Sequence, residues 1–243
     1  MTQPAATSDR ALAEAPAWGL GEVAIGLLLA IVGGNVTAGL ALALSGEPRF
    51  DDLPLAWVAL AQVGLWAGLL GMPAWAAATK GRGLVRDLRL RVTWGDVPLG
   101  LVVGVVLQLV VVPLLYVPLL PLLDRSRSDV EAPAREMADR AAGPLGVVLL
   151  VLIVGIAAPI VEEIFYRGLF QQALLKRGLP AAAAVGINAF VFAASHFQLL
   201  QFPALFAFGL AVGWLAWRRG RLGPAIAAHV AFNMVTVVAL LVT

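Results

Sequence analysis

Residues 158–167 read Ala158-Pro159-Ile160-Val161-Glu162-Glu163-Ile164-Phe165-Tyr166-Arg167. Three ionisable side chains, Glu162, Glu163 and Arg167, therefore lie near the end of a run that otherwise has the composition of a transmembrane helix. A charged side chain at the centre of a bilayer costs at least about 2.5 kcal/mol, even on insertion scales. A cluster of three such side chains is a hypothesis for a functional site inside a membrane.

The whole chain has the composition of an integral membrane protein. Of its 243 residues, 60% are hydrophobic and 13% are charged, whereas soluble domains are about half apolar and a quarter charged. The mean hydropathy is +0.89. The absence of cysteine excludes disulfides, thiolate metal sites and cysteine nucleophiles. The charged residues lie in short loops without a clustered basic face, so we expect no nucleic-acid partner.

Apolar runs divide the chain into membrane spans bounded by Pro, Gly or charged residues. They cover residues 18–44, 54–79, 97–123, 144–170, 181–197, 200–217 and 224–243. We predict an all-α, polytopic transmembrane helix bundle of about seven helices, with a range of six to eight.

The domain organisation follows from these spans. Residues 1–17 are polar and rich in Ala and Pro, which predicts a disordered tail. Residues 18–243 are predicted to form a single bundle, with the catalytic part at 144–238. The loop at 124–143 is expected to form an amphipathic or irregular surface piece. The segment 196–203 fits either a tight turn or a re-entrant piece.

Basic residues concentrate in the loops 80–96, 171–180 and 218–223, which the span order puts on one side. The positive-inside rule then orients the chain, with the tail in the cytoplasm and the C-terminus outside. We expect an integral protein of the cytoplasmic (inner) membrane, with the lipid bilayer as its immediate partner.

The polar residues at membrane depth lie mostly in the last hundred or so residues. His196 and His229 are the two histidines of the chain, and both fall in apolar runs. Glu163 and Arg167 are four residues apart, so they can pair along one side of a helix, while Glu162 is about 100° away. Glu162 is therefore a carboxylate without a local partner and the better candidate for a general base.

His229 and Asn233 share one helical face in the same way. We predict that Asn188 makes an interhelical hydrogen bond, and that Gly209 and Gly213 allow close helix packing.

A carboxylate, two imidazoles and a carboxamide are the groups needed to hydrolyse an amide. Our hypothesis is that Glu162 and His196 activate water, while His229 and Asn233 stabilise the oxyanion. Other intramembrane proteases are excluded by composition. Ser195 has no Gly-flanked turn and points away from His196, every Asp lies in the tail or loops, and H-E-x-x-H is absent.

These residues resemble the CAAX-protease and bacteriocin-processing (CPBP, Abi) family of intramembrane endopeptidases, which includes the Ras-converting CAAX prenyl protease. The resemblance covers residues 144–238. Its motifs are Glu162-Glu163-Ile164-Phe165-Tyr166-Arg167, Phe192-Ala193-Ala194-Ser195-His196 and His229-Val230-Ala231-Phe232-Asn233.

The resemblance implies the same distribution of roles as helical geometry does, with Glu163 and Arg167 as supporting residues. It also implies a membrane-associated or lipidated peptide or protein as substrate. Two alternatives stay open: a non-proteolytic membrane scaffold, for instance an immunity or regulatory protein, and a proton-coupled transporter.

The mechanism also has two versions. Glu162, His196 and His229 could hold a divalent metal such as Zn²⁺, with water as a fourth ligand, and the family has been described as metal-dependent. A metal-free reaction is the preferred interpretation, because no local pair such as H-x-x-x-H preorganises an ion, so no metal ligand is assigned.

The predicted spans leave one geometric difficulty. Glu162 lies roughly 13 Å from the cytoplasmic end of its run, and His196 lies roughly 24 Å from the same side. Helix tilt, a deeper start of the fifth helix or a break near Pro180 has to bring them together.

Overall fold

The computed structural model describes residues 17–242. The tail predicted at 1–17 lies, apart from Ala17, outside the described residues. Within them the chain is helical and contains no strand. The predicted all-α fold class is therefore confirmed.

Eight helices of at least 13 residues make up the bundle over residues 17–242. They are α1 Leu20–Ser45, α2 Leu55–Thr79, α3 Asp96–Leu123, α4 Arg127–Asp139, α5 Gly143–Lys176, α6 Ala181–Ala194, α7 Phe202–Arg219 and α8 Gly223–Val242. In the described part of the chain, five helices (α1, α2, α3, α5 and α8) are long and apolar enough to cross a membrane. The shorter α6 and the Arg-terminated α7 complete the seven predicted runs.

Local sequence explains where these helices begin and end. α1 and α7 stop at Gly46 and Gly220, which adopt the left-handed backbone that glycine favours, with φ of 75° and 63°. α4 starts at Ser126, whose hydroxyl accepts the backbone N–H of Asp129. α4 lies where an amphipathic or irregular surface piece was predicted for the 124–143 loop. The first part of the segment 196–203 forms a turn between α6 and α7, and α7 begins at Phe202.

Small residues bring the helix backbones together in pairs. In the α1–α2 hairpin, a Cβ built on Gly64 would lie 2.1 Å from the Gly33 carbonyl oxygen. In the α3–α8 pair, a Cβ on Gly104 would lie 2.2 Å from the Ala228 carbonyl oxygen. This is the packing expected where lipid, which is as apolar as leucine, supplies no hydrophobic force between helices.

The outward faces are apolar, which is the reverse of a soluble bundle. Leu28 is 60% exposed and Val117 is 70% exposed, each in a helix long enough to span a bilayer. Buried positions instead include charged and amide side chains such as Glu163, Arg167 and Gln171. This distribution is that of an integral membrane protein.

Helix α5 is not regular. Two π-helical segments, Val151–Ala157 and Ile164–Phe170, flank a short α-helical piece at Ala158–Glu163. The two neighbouring glutamates thus lie at a double change of helical register, a feature frequent at functional sites.

The predicted end of this span at residue 170 is wrong, because α5 continues to Lys176. Glu162 is then about 21 Å from that end, and His196 is about 22 Å from the start of α6 at Ala181. The difficulty with the depths of the two side chains came from the short boundary, and it disappears when the full helix is considered.

Candidate active site

The buried centre of the site is the Glu163 carboxylate. Its Oε1 accepts hydrogen bonds from Arg167 Nη1 on the same helix and from His229 Nδ1 on α8, both at 2.8 Å. The Glu163 and Arg167 side chains are fully buried. The predicted pairing along one face of α5 is present, with a second partner from α8 that the spacing did not predict.

Glu162 points elsewhere, as its position in the helix requires. Its side chain is 20% exposed, and its Oε2 lies 3.7 Å from Nε2 of His229. His229 therefore lies between the two carboxylates, with Nδ1 on Glu163 and Nε2 facing Glu162. Because the atom bonded to the carboxylate must be the N–H, Nε2 carries a free lone pair when the ring is neutral and a proton when the ring is charged.

His196 lies in the turn that follows α6. Its Nδ1 is 2.7 Å from the Phe192 carbonyl oxygen, so this nitrogen is assigned the proton and Nε2 is left as the acceptor. Within residues 17–242, no hydrogen bond or ion pair joins His196 to Glu162, His229 or Asn233.

The ring of Phe192 connects the parts of the site. Its centroid is 4.8 Å from the His196 ring, 5.9 Å from the His229 ring and 4.6 Å from the guanidinium carbon of Arg167. Both imidazoles and the buried cation thus pack on one fully buried aromatic side chain.

The two asparagines of the site, Asn188 and Asn233, donate to backbone carbonyl groups of α5. Asn233 Nδ2 donates to the Val154 carbonyl at 2.8 Å, and Asn188 Nδ2 donates to the Tyr166 carbonyl at 2.6 Å. The interhelical hydrogen bond predicted for Asn188 is therefore present. A primary amide has two N–H groups, so Asn233 keeps one for another acceptor.

A second pair of contacts ties α5 to α7. Arg167 Nη2 lies 3.3 Å from the Gly209 carbonyl, and Gln171 Nε2 lies 2.9 Å from the Gly213 carbonyl. Donors and acceptors are each four residues apart, so the two helices pair along one face. A Cβ on Gly209 would lie 3.0 Å from Ala189, which confirms the close packing predicted for this glycine.

Sequence reasoning missed the Tyr166 side chain. Its hydroxyl lies 2.7 Å from the Ser195 hydroxyl, and the same tyrosine offers its carbonyl to Asn188. The Tyr166 hydroxyl thereby links α5, next to Arg167, with Ser195, next to His196. The available signal was a buried tyrosine in an apolar span, which needs a partner for its hydroxyl, but the spacing did not identify that partner.

The start of α8 is held by an ion pair between the loop before it and α3. Arg221, in the loop after α7, forms a fork of hydrogen bonds with the Asp96 carboxylate, the shortest at 2.6 Å. The hydrogen bond to Asp96 raises the pKa of Arg221. This contact anchors the start of α8, two turns before His229.

A cavity of about 440 Å³ lies between α3, α4, α7 and α8, and no candidate catalytic side chain lines it. Phe232 lines it and packs at 4.5 Å on Phe208, which packs at 4.6 Å on His229. Most of the wall is apolar. The buried Oε1 of Gln108, in the π-helical segment Leu107–Val111, also lines the cavity and has no hydrogen-bond partner.

A family model described as type II CAAX prenyl endopeptidase Rce1-like matches residues 144–235. Over this segment the chain is similar to that family. The family resemblance predicted from the sequence is confirmed there. Comparison with curated proteins gave no significant match, and comparison with solved structures gave none either.

The Rce1-like segment, residues 144–235, contains every side chain of the predicted site. The match supports an intramembrane endopeptidase of the CAAX type in general terms, acting in a lipid bilayer on a membrane-associated substrate.

The candidate zinc ligands are not grouped together in the part of the chain that the structure describes. In residues 17–242, no group of three or more His, Cys, Asp or Glu side chains is arranged to hold a metal ion. In the set Glu162, His196 and His229, Nδ1 of each histidine is bonded to a protein oxygen, which leaves Nε2 available. His196 nevertheless makes no polar contact with Glu162 or His229, so the three side chains are not brought together as a ligand set, and no step below is assigned to an ion.

Proposed function

We propose that this protein is an intramembrane endopeptidase in which Glu162 and His196 activate the attacking water. The observation that carries the proposal is that the two neighbouring carboxylates, Glu162 and Glu163, have different surroundings. Glu163 is neutralised by Arg167 and bonded to His229, whereas Glu162 is partly exposed and, among the described residues, has an ion-pair contact within 4 Å with His229 alone. A carboxylate that the fold leaves accessible is the one able to take a proton from water.

In the proposed reaction, water lies between the Glu162 carboxylate and Nε2 of His196. The carboxylate takes one proton, and the hydroxide attacks the scissile carbonyl carbon. The tetrahedral intermediate then collapses as the same carboxyl group returns the proton to the leaving amine, so protons balance over the cycle. The unprotonated Nε2 of His196 supports the water by accepting its other hydrogen.

His229 and Asn233 are proposed to stabilise the oxyanion. A charged His229 has an Nε2 proton to donate, and it would balance the buried charges with two carboxylates against one guanidinium and one imidazolium. Asn233 has a second N–H beyond the one that bonds Val154. Two donors of this kind can lower the barrier substantially, since removing one oxyanion-hole donor typically costs about a hundredfold or more in kcat.

The proposed substrate is a membrane-associated peptide or protein, lipidated or not, and the reaction is proposed to be metal-free. The mostly apolar cavity lined by Phe232, which is connected to His229 through Phe208, offers room for a substrate segment. We also propose that the basic loops face the cytoplasm, that residues 18–243 form one bundle in the cytoplasmic membrane, and that residues 144–238 are its catalytic part.

Reconstituted protein supplied with peptides extracted from its own membranes in H₂¹⁸O tests this proposal. New C-termini carrying ¹⁸O are expected with the wild type and not with Glu162→Gln or His196→Ala. Equal labelling in all three preparations overturns the assignment. A scaffold is favoured if none of the three preparations is labelled and both variants still co-purify with the same membrane proteins as the wild type. A transporter is favoured if the vesicles take up protons.

The metal-free version has its own measurement. Protein purified without chelator and washed with EDTA should keep its activity, and zinc content should be the same in wild type and Glu162→Ala. Loss of both bound zinc and activity in Glu162→Ala would contradict a metal-free reaction.

A further inference from the structure

The backbone of α5 has a break in its hydrogen-bond ladder one turn before the two glutamates. The Ala158 N–H donates to the Ile153 carbonyl, which is the five-residue step of a π-helix. The next bond in this register would join residue 159 to Val154. Residue 159 is proline, which has no N–H, so it cannot donate this bond to the Val154 carbonyl.

A carbonyl without a donor is costly in this position. The hydrocarbon core contains no water to replace the missing N–H, so a backbone polar group there must be satisfied by the protein. The donor present is Asn233 Nδ2, 2.8 Å from the Val154 oxygen and 79 residues away in the chain. Asn233 therefore supplies the hydrogen bond that Pro159 cannot make.

Two residues on one face of α8 contact α5 before and after Pro159. His229, one turn before Asn233, bonds Glu163, while Asn233 bonds Val154. Between these two contacts lie Pro159 and Glu162. The Met234 side chain of α8 packs directly on Gly155 here, since a Cβ built on Gly155 would lie 2.4 Å from the Met234 sulfur.

We propose that Asn233 is a positioning residue that fixes the Ala158–Glu163 piece of α5 against α8 by donating to the carbonyl that Pro159 leaves unpaired. This function is additional to the oxyanion contact proposed above, because it uses the other N–H of the carboxamide. The positioning of Glu162 rests on the proposed function, but the hydrogen bond itself does not.

A double-mutant cycle between Asn233→Ala and Pro159→Ala tests the proposal, because Pro159→Ala restores the missing N–H. With the native Pro159, Asn233→Ala should lower the unfolding midpoint by about 5 °C. In the Pro159→Ala background the same change should lower it by less than half as much. An equal loss in both backgrounds overturns the proposal.

The second readout is the kcat of cleavage. If Asn233 only stabilised the fold, the effect of Asn233→Ala on kcat would not depend on the residue at position 159. The fall in kcat on Asn233→Ala should be about tenfold smaller in the Pro159→Ala background than with the native proline, because Glu162 then stays in place without the asparagine. An equal fall in both backgrounds means that the carboxamide acts on the oxyanion alone. If no cleavage is found at all, the midpoint cycle still decides the hydrogen bond, so the two proposals fail separately.

Asn188→Ala is the matched control. This variant also removes a carboxamide that donates to an α5 carbonyl, that of Tyr166. The residues four and five positions after Tyr166 are Phe170 and Gln171, not proline, so Pro159→Ala should not rescue this variant. If Pro159→Ala does not fold, Asn233→Ser and Asn233→Asp replace it. Serine can donate to a carbonyl and an ionised Asp cannot, so an Asp variant as stable as the Ser variant overturns the proposal.

Discussion

The α1–α2 hairpin and the α5–α8 pair solve the same problem with different chemistry. In the hairpin, Gly33 and Gly64 bring two regular helices into backbone contact, and Thr37 adds one hydrogen bond to the Ala61 carbonyl. In the α5–α8 pair, polar side chains hold a helix whose register changes twice. In the hairpin, glycines allow the backbones to touch, whereas in the α5–α8 pair buried polar side chains form the contacts.

This difference separates stability from chemistry within one bundle. Packing of small residues tolerates no added volume, but it holds nothing reactive. The polar interface contains a buried ion pair and hydrogen bonds to backbone carbonyls, which are costly unless every partner is present. The α5–α8 pair should therefore be sensitive to the loss of a single polar group, and the hairpin to the gain of a single methyl group.

The largest effect is expected from breaking the buried ion pair. Arg167→Met leaves the Glu163 charge without its cation in a fully buried position, which should cost about 3–5 kcal/mol of unfolding free energy. SDS titration of the reconstituted protein measures it. The double variant Glu163→Gln/Arg167→Met removes both charges and should recover part of the loss. Equal destabilisation in the single and double variants would mean that charge is not the cause.

The hairpin provides the next effect. Gly64→Val introduces a side chain where a Cβ already lies 2.1 Å from a carbonyl oxygen, so it should cost about 1–3 kcal/mol by overpacking. The activity of the remaining folded protein should be unchanged. Gly71→Val on the same helix is the control, because nothing lies within 4 Å of its Cβ position. Similar losses in both variants would point to helix propensity rather than contact.

A smaller effect compares a single interhelical hydrogen bond of the hairpin with one that joins α5 to α7. Gln171→Leu removes the bond to the Gly213 carbonyl and should cost about 0.6–1.7 kcal/mol. Thr37→Val should cost less, because its hydroxyl is also within reach of the Gly33 carbonyl on its own helix at 2.9 Å. A larger loss for Thr37→Val in the same SDS titration would contradict the idea that polar groups matter more around α5.

The smallest effect lies outside both regions, at the start of α4. Hydrogen bonds from the backbone N–H and the hydroxyl of Ser126 lower the pKa of the Asp129 carboxyl below its usual 3.8. The cap is therefore fully present above pH 3.8 and is lost as the pH falls through the lowered pKa. A spin label at the exposed position 136 should become more mobile over that range, with cleavage at neutral pH unaffected. Asp129→Asn should abolish the pH response, and an unchanged response would exclude this cap as its source.

Much of the fold could be predicted because membrane spans follow from composition alone. The apolar runs correspond to the seven helices within a few residues, except where α5 continues past residue 170. That error arose from treating Gln171 as a boundary. Gln171 is buried instead, because the Gly213 carbonyl accepts its hydrogen bond, and such a partner is invisible in the sequence.

The candidate site could be predicted where contacts are local. The Glu163–Arg167 pair follows from a four-residue spacing, and the family match covers the same motifs. The contacts of His229 with Glu163 and of Asn233 with Val154 join residues 66 and 79 positions apart. They depend on the register of α8 against α5, which the π-helical segments set. A proline in a helix is visible in the sequence, but which carbonyl it leaves unpaired depends on that register.

The most direct test of the account compares Glu162→Gln with Glu163→Gln, measuring cleavage rate and unfolding midpoint on the same preparations. Glu162→Gln should keep the wild-type midpoint and lose cleavage by about a hundredfold or more. Glu163→Gln should lower the midpoint, because Arg167 is left as an uncompensated buried charge. A folded Glu162→Gln variant that cleaves at the wild-type rate would contradict the assignment of Glu162 as the group that activates water.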